Sequence, residues 1–208
     1  MSKVKIGING FGRIGRMVFR SCLKRDNVEV VAINDLLDIE HLAYLLKYDS
    51  VHGVCDAEIS VKNNQLYVNE RHIRITAERD PKLLKWNEVE VDVALECTGI
   101  FTDREKAASH LQNGCSRVLI SAPAPNADKT IVYGVNEKEL KKNDQIIAAA
   151  SCTTNCLAPI AQVLHKNFEI EKGFMTTIHS FTSDQRILDN SHKDPRRARS
   201  ESHSIVPT

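Results

Sequence analysis

Residues 4–24, "VKIGINGFGRIGRMVFRSCLK", decide the fold. A short apolar run enters a glycine turn, Gly10-Phe11-Gly12-Arg13-Ile14-Gly15, of the form G-x-G-x-x-G, and passes into apolar residues at helical spacing. A second apolar run, "VEVVAIN" at 28–34, follows and ends at Asp35, twenty residues after Gly15. Strand, glycine turn, helix, strand and acid in that order predict a dinucleotide-binding βαβ unit. Each glycine has a task there. Gly10 permits the tight turn, Gly12 lets the backbone approach a pyrophosphate, and Gly15 lets the helix pack close on the strand. The helix N-terminus offers N–H groups and the positive end of a dipole, and the Asp35 carboxylate accepts hydrogen bonds from ribose hydroxyls.

Outward from this unit, strands and helices alternate. Residues 39–49 carry apolar side chains at helical spacing and predict a crossover helix. Residues 57–78 alternate with period two around "KNNQ" and "NER", which predicts two hairpin turns in a small antiparallel excursion. "VDVALECTG" (91–99) reads as a buried strand that places Thr98 and Gly99 at the crevice end of the sheet. A helix over 102–114 follows, with Thr102 as its cap and Gly114 as its stop. Strands at 116–124, 129–136 and 142–152 complete a Rossmann-type doubly wound α/β domain over 1–151. Residues 152–208 then form part of a second domain.

Composition narrows the function classes. With 28 basic against 27 acidic residues the net charge is +1, so neither a nucleic acid nor an anionic membrane surface is indicated. With 42% hydrophobic residues a packed core is expected, and no apolar run reaches the ~18 residues of a membrane span. The N-terminus passes directly into a strand pattern, with no room for a secretion signal, so the six cysteines are expected as reduced thiols in a cytoplasmic protein.

The stretch "AAASCTTNCLAP" (148–159) sets Cys152 and Cys156 four residues apart. A metal clip lacks a second cysteine pair, and a disulfide one helical turn apart is geometrically awkward, so no metal is expected. Buried filler and a nucleophile remain open. Cys152 follows a strand and opens the helical run 153–168, where a dipole end favours a thiolate; Pro159 should kink that helix or remove one of its hydrogen bonds. Cys156, a turn further on, suits interior filler. A base is offered by His179, near the end of a buried-looking strand at 173–182.

Together "INGFGRIGR", "LLKYDSVHG", "ECTGIFT", "ASCTTNCLAP", "TTIHSFTSDQRILD" and "RRAR" resemble the phosphorylating glyceraldehyde-3-phosphate dehydrogenases of bacterial type, over essentially the whole chain. The resemblance implies Cys152 as nucleophile and His179 as acid/base, in oxidation of glyceraldehyde 3-phosphate through a cysteine thioester that inorganic phosphate cleaves to 1,3-bisphosphoglycerate. It implies NAD contacts at Asn9, Phe11, Gly12, Arg13, Ile14, Asp35, Arg79, Thr98, Phe101 and Ser121. It implies phosphate subsites at Ser151, Thr153, Thr182 and Arg199, and a homotetramer. Asn190 and Ser191 stand where strictly NAD-dependent members often carry Leu-Pro, which raises use of NADP as a hypothesis that Asp35 argues against on charge. Family chains are longer, so residues 152–208 resemble the first part of the α+β catalytic domain, C-terminally incomplete. Erythrose-4-phosphate dehydrogenase shares the cysteine motif. A non-catalytic nucleotide- or RNA-binding fragment is a further alternative, motivated by the basic run 192–200, which reads more simply as a surface or interface loop.

Overall fold

The computed structural model describes residues 2–208. The chain divides into two compact units, one ending at Lys166 and one over Asn167–Thr208.

In the first unit β1 (Val4–Asn9), α1 (Arg13–Cys22) and β2 (Val28–Asn34) form the expected parallel βαβ unit. α2 (Ile39–Lys47) follows, capped by the Asp38 carboxylate accepting from the His41 N–H at 3.0 Å. A two-residue ladder, β3 (Tyr48–Asp49) with β4 (Gly53–Val54), leads to β5 (Ile59–Lys62), β6 (Gln65–Val68) and β7 (Arg71–Thr76). Both hairpins turn on residue pairs with positive φ, Asn63-Asn64 and Asn69-Glu70, the backbone that a two-residue turn needs to match strand twist. The meander is no separate excursion. β7 pairs parallel with β2, so the hairpins extend the main sheet.

β8 (Val93–Glu96), α3 (Arg104–Gln112), β9 (Arg117–Ile120), β10 (Lys129–Thr130), β11 (Ile146–Ala148) and α4 (Cys152–Phe168), whose last two residues fall past Lys166, complete the unit. Strand order is β10-β11-β9-β8-β1-β2-β7-β6-β5. The chain winds outward from β1 through β2 and returns to β8 on the other side, so the order reverses at β1. The α3 cap is Asp103, which accepts from Lys106 N–H at 2.9 Å, and not Thr102: a carboxylate one residue on reaches a first-turn donor three residues along and takes the capping position. Of the run 129–136 only Lys129–Thr130 pairs as strand.

Period two divides the core between the sheet's faces. Ile8, Ile33 and Leu95 pack with Phe19 of α1 and with Leu42 and Leu46 of α2. Their neighbours Ala32 and Ala94 pack with Trp86, Val118, Ile120 and Ala107 of α3 on the opposite face. Each fully buried Leu or Phe there stabilises the unit by ~1.5–3 kcal/mol. α4 runs through Pro159 without interruption and is tied to the unit by Gln162 donating to the Val135 carbonyl at 3.1 Å. None of its residues is buried.

The second unit contains a 3₁₀ turn at Pro195–Ala198 and a single bridge, Arg186 to Ser200. The strand expected over 173–182 does not form. Phe174, Met175 and Ile178 stand exposed, and among the described residues no strand pairs with that run; backbone donors without a ladder partner have no reason to extend.

Candidate functional site

The crevice at the reversal point is built by glycine. At Gly10 φ is +90°, and an added Cβ would stand 2.7 Å from the Thr98 amide nitrogen. At Gly15 it would stand 2.2 Å from the Gly10 carbonyl oxygen, which only a residue without a side chain allows. Gly12, the N-cap of α1, faces open space instead. That space is part of a cavity of about 490 Å³ at the carboxyl ends of β1, β2 and β8. Six of the ten residues singled out for a dinucleotide line it: Asn9, Gly12, Asp35, Arg79, Thr98 and Phe101.

Asp35 ties the turn to β2. One carboxylate oxygen accepts from the Phe11 N–H at 2.7 Å and the other from the Leu37 N–H at 3.0 Å. Each oxygen has two acceptor positions, so one remains on each. The other four singled-out residues do not line the cavity. The Phe11 ring is fully buried, edge-on to Phe19 at 5.7 Å, and only its backbone reaches the turn. Ile14 is half-exposed, Arg13 is paired with Asp49, and Ser121 lies beyond β9 with its N–H on the Glu96 carbonyl at 3.0 Å. Asp49 was not anticipated. The His52 N–H, then that of Val51 and the Arg13 guanidinium, hold its carboxyl down at about 2.

A second arrangement lies where β11 meets α4. Ala150 is left-handed, φ +58°, a backbone that costs a non-glycine residue roughly 1–2 kcal/mol. Asn155 holds it, its amide donating to the carbonyls of Ala149 at 2.7 Å and Ser151 at 2.9 Å. Ser151 is the helix cap: its carbonyl accepts from Asn155 N–H at 2.9 Å and its hydroxyl from Thr154 N–H at 3.0 Å. Cys152 is therefore the first helical residue, exposed at the positive end of the helix dipole, with Thr153 half-buried beside it. Cys156 is exposed too, a correction to its reading as interior filler: nothing among the described residues covers that face of α4. Neither Ala150 nor Asn155 carries a sequence signal, because a left-handed alanine follows from no propensity.

In the second unit Thr182 donates its hydroxyl and its N–H to the Gln185 amide oxygen, at 2.9 and 2.8 Å. Gln185 is buried and was missed. His179 Nδ1 lies 2.5 Å from the Ser180 carbonyl, and Arg199 pairs with Asp189 at 2.9 Å on the surface. Among the described residues, no His, Cys, Asp or Glu group of three or more is arranged to hold a metal ion, and no helix is long and apolar enough to cross a membrane.

Residues 4–104 match the family model "Glyceraldehyde 3-phosphate dehydrogenase, NAD binding domain", and 151–208 match "Glyceraldehyde 3-phosphate dehydrogenase, C-terminal domain". The chain is 60% identical over 206 residues to a glyceraldehyde-3-phosphate dehydrogenase of Geobacillus stearothermophilus, covering 99% of this chain and 62% of that protein. It is 57% identical to glyceraldehyde-3-phosphate dehydrogenase 1 of Bacillus subtilis over 206 residues, and 54% identical to a homologue from Cereibacter sphaeroides over 207, with the same coverage of each chain. It thus spans about three-fifths of the length of the curated relatives it matches. A glycine-cradled crevice in its first half and a capped cysteine at the start of its second match, each inside the corresponding family model, make this chain a member of the glyceraldehyde 3-phosphate dehydrogenase family.

Proposed function

We propose that the chain carries the dinucleotide site and the nucleophile of a phosphorylating glyceraldehyde-3-phosphate dehydrogenase that uses NAD. The observation that carries the reading is Cys152, exposed at the first position of a helix whose N-cap hydroxyl and clamped left-handed turn fix it in place. The residues of the crevice fit a dinucleotide. A Cβ at Gly12 would occupy space that is open, the α1 N-terminus faces it, and Asp35 keeps two acceptor positions for ribose hydroxyls.

In the mechanism Cys152, as thiolate, attacks the aldehyde carbon of glyceraldehyde 3-phosphate, and a C–S bond forms as the carbonyl oxygen takes a proton from the protonated His179 imidazole. A bound oxidised nicotinamide supplies the acceptor for the two electrons that leave with the carbon-bound hydrogen. His179 takes the hydroxyl proton in that step, leaving a thioester on Cys152. Inorganic phosphate then attacks the thioester carbon, the C–S bond breaks, and the thiolate returns. Thiolate suits both steps, since it attacks carbonyls well and leaves well from an acyl group. Ser151, Thr153, Thr182 and Arg199 hold the two phosphates. Asn9, Phe11, Arg13, Ile14, Arg79, Thr98, Phe101 and Ser121 complete the dinucleotide contacts. The functional division falls at 151/152, the later part opens the catalytic domain, and the active form is a cytoplasmic homotetramer.

The test is NAD reduction with glyceraldehyde 3-phosphate and phosphate, beside a Cys152→Ser variant. Turnover that the variant lacks supports the reading. Turnover that survives the substitution refutes Cys152 as nucleophile.

A further inference from the structure

Beneath the crevice, buried polar groups from three adjacent parallel strands form one directed hydrogen-bonded belt. The Trp86 indole N–H donates to His110 Nδ1 at 3.1 Å. An indole can only donate, so that nitrogen is the acceptor and the proton sits on His110 Nε2, 3.0 Å from the Glu96 carboxylate. The same carboxylate oxygen accepts from the Asn9 amide at 2.6 Å. The other oxygen accepts from the Thr98 N–H at 2.8 Å and from the Thr98 hydroxyl. Asn9 in turn accepts from the Asn34 amide at 2.7 Å, and Asn34 is held by Thr76 and by the Glu78 backbone. Every amide orientation and the imidazole tautomer are set by neighbours. Glu96 is the node: four donors converge on a side chain with no exposed surface.

We propose that Glu96, which does not itself line the crevice, is the positioning residue that sets it. Its carboxylate joins the end of β1, where the glycine turn starts, to the Thr98-Gly99 turn after β8, and so fixes the spacing on which dinucleotide binding depends. The proposal rests on the reading that this crevice takes a nicotinamide dinucleotide. Two observations separate it from mere core stability. Buried ionised groups are poor stabilisers, and apolar replacements of similar volume are often as stable or more so, so packing alone does not call for an acid here. The glycine turn also meets the Thr98 backbone in direct contact, with an added Gly10 Cβ at 2.7 Å from the Thr98 nitrogen, so a shift of Thr98 passes straight into the turn.

Glu96→Gln is the discriminating change. Whichever way the new amide faces, its NH₂ meets a donor that cannot turn, the His110 Nε2–H and the Asn9 amide on one side or the Thr98 N–H on the other, and leaves it without an acceptor. Affinity of the full chain for NAD is measured by isothermal titration for the parent, for Glu96→Gln, and for Val68→Ala, a core truncation outside the belt. NAD affinity of Glu96→Gln should fall about tenfold or more, as expected for lost hydrogen bonds to a charged group. Val68→Ala should stay within about twofold at a comparable loss of melting temperature, a small fraction of that same tenfold. Amide hydrogen exchange should quicken at 9–13 and 97–101 in folded Glu96→Gln. If Glu96→Gln does not fold, His110→Phe carries the test, since it takes the Nε2–H donor from the Glu96 carboxylate at a residue outside the crevice lining, and it should weaken NAD by about threefold. Parent-like NAD affinity in the variant that carries the test, or an equal affinity loss in Val68→Ala, overturns the inference alone. A parent chain that does not bind NAD overturns the functional reading and the inference with it.

Discussion

Gly15 and Gly12 sit three residues apart in one turn, and the structure assigns them opposite kinds of cost. In Gly15→Ala the new Cβ would lie 2.2 Å from the Gly10 carbonyl oxygen and 3.3 Å from the Ile8 side chain, where real Cβ atoms essentially never come within 3.0 Å. The oxygen must retreat by about 0.8 Å, and it belongs to backbone that is anchored, since the Gly10 N–H is bonded to the Asn34 carbonyl at 2.8 Å. Overpacking against fixed backbone costs toward the upper end of 1–3 kcal/mol, about 3. Replacing glycine inside a helix returns about 1 kcal/mol of propensity, so the net loss is about 2 kcal/mol. For a chain of this size that is a fall in melting temperature of about 4–8 °C. Gly12→Ala meets nothing within 4 Å, and its φ of −69° suits alanine, so stability should change by no more than about 1 kcal/mol. Its methyl group nevertheless enters the space where a pyrophosphate would approach, and NAD affinity should drop about tenfold. Differential scanning calorimetry and NAD titration of both variants read the two costs separately. A Gly15→Ala chain as stable as the parent, or a Gly12→Ala chain with parental NAD affinity, would refute this account of the turn.

Asp49, held near 2 against an ordinary 3.8, contributes stability that is present above pH ~4 and is lost as pH falls toward 2; Asp49→Asn should flatten acid unfolding in that window, measured by circular dichroism. Burial pushes the Cys97 and Cys115 thiols up to about 11, whereas Cys152 and Cys156 are exposed. Iodoacetamide labelling mapped by mass spectrometry should therefore reach Cys152 first and Cys97 and Cys115 last; early labelling of Cys97 would contradict the packing around β8. NADP should bind more weakly than NAD, because a 2′-phosphate would face the Asp35 carboxylate. Asp35→Ser should narrow the gap by about tenfold or more, the scale of one unit charge at a part-exposed site, and an unchanged ratio would place the discrimination elsewhere.

Local rules carried the sequence reading furthest where one segment completes its own structure. The bounds of β2 and the order strand, glycine turn, helix follow from "VKIGINGFGRIGR" and "VEVVAIND" alone, and the two Asn-led turns follow from positive-φ chemistry. It faltered where the outcome depends on a distant partner. Residues 173–182 read like a buried strand but lack a ladder, and Cys156 has the composition of filler on a helix face that nothing among the described residues covers. Glu96 was legible as an oddity, an acid inside the apolar part of "VDVALECTG", four residues past Asp92 at its start. Its partners Asn9 and His110 lie 87 and 14 residues away, and no spacing rule joins them. At α3 the misplaced cap shows the limit of one-residue arguments: Thr102 and Asp103 both favour capping, and the acid took the position.

In the proposed function Cys152 forms an acyl-enzyme beside a bound dinucleotide. Its most direct test is a single turnover, mixing the chain with glyceraldehyde 3-phosphate and NAD without phosphate and following NADH absorbance and the mass of the peptide containing Cys152. NADH should form in step with an acyl group on Cys152, which is discharged when phosphate is added. NADH formed with no adduct on Cys152, or an adduct carried by another residue, would contradict it.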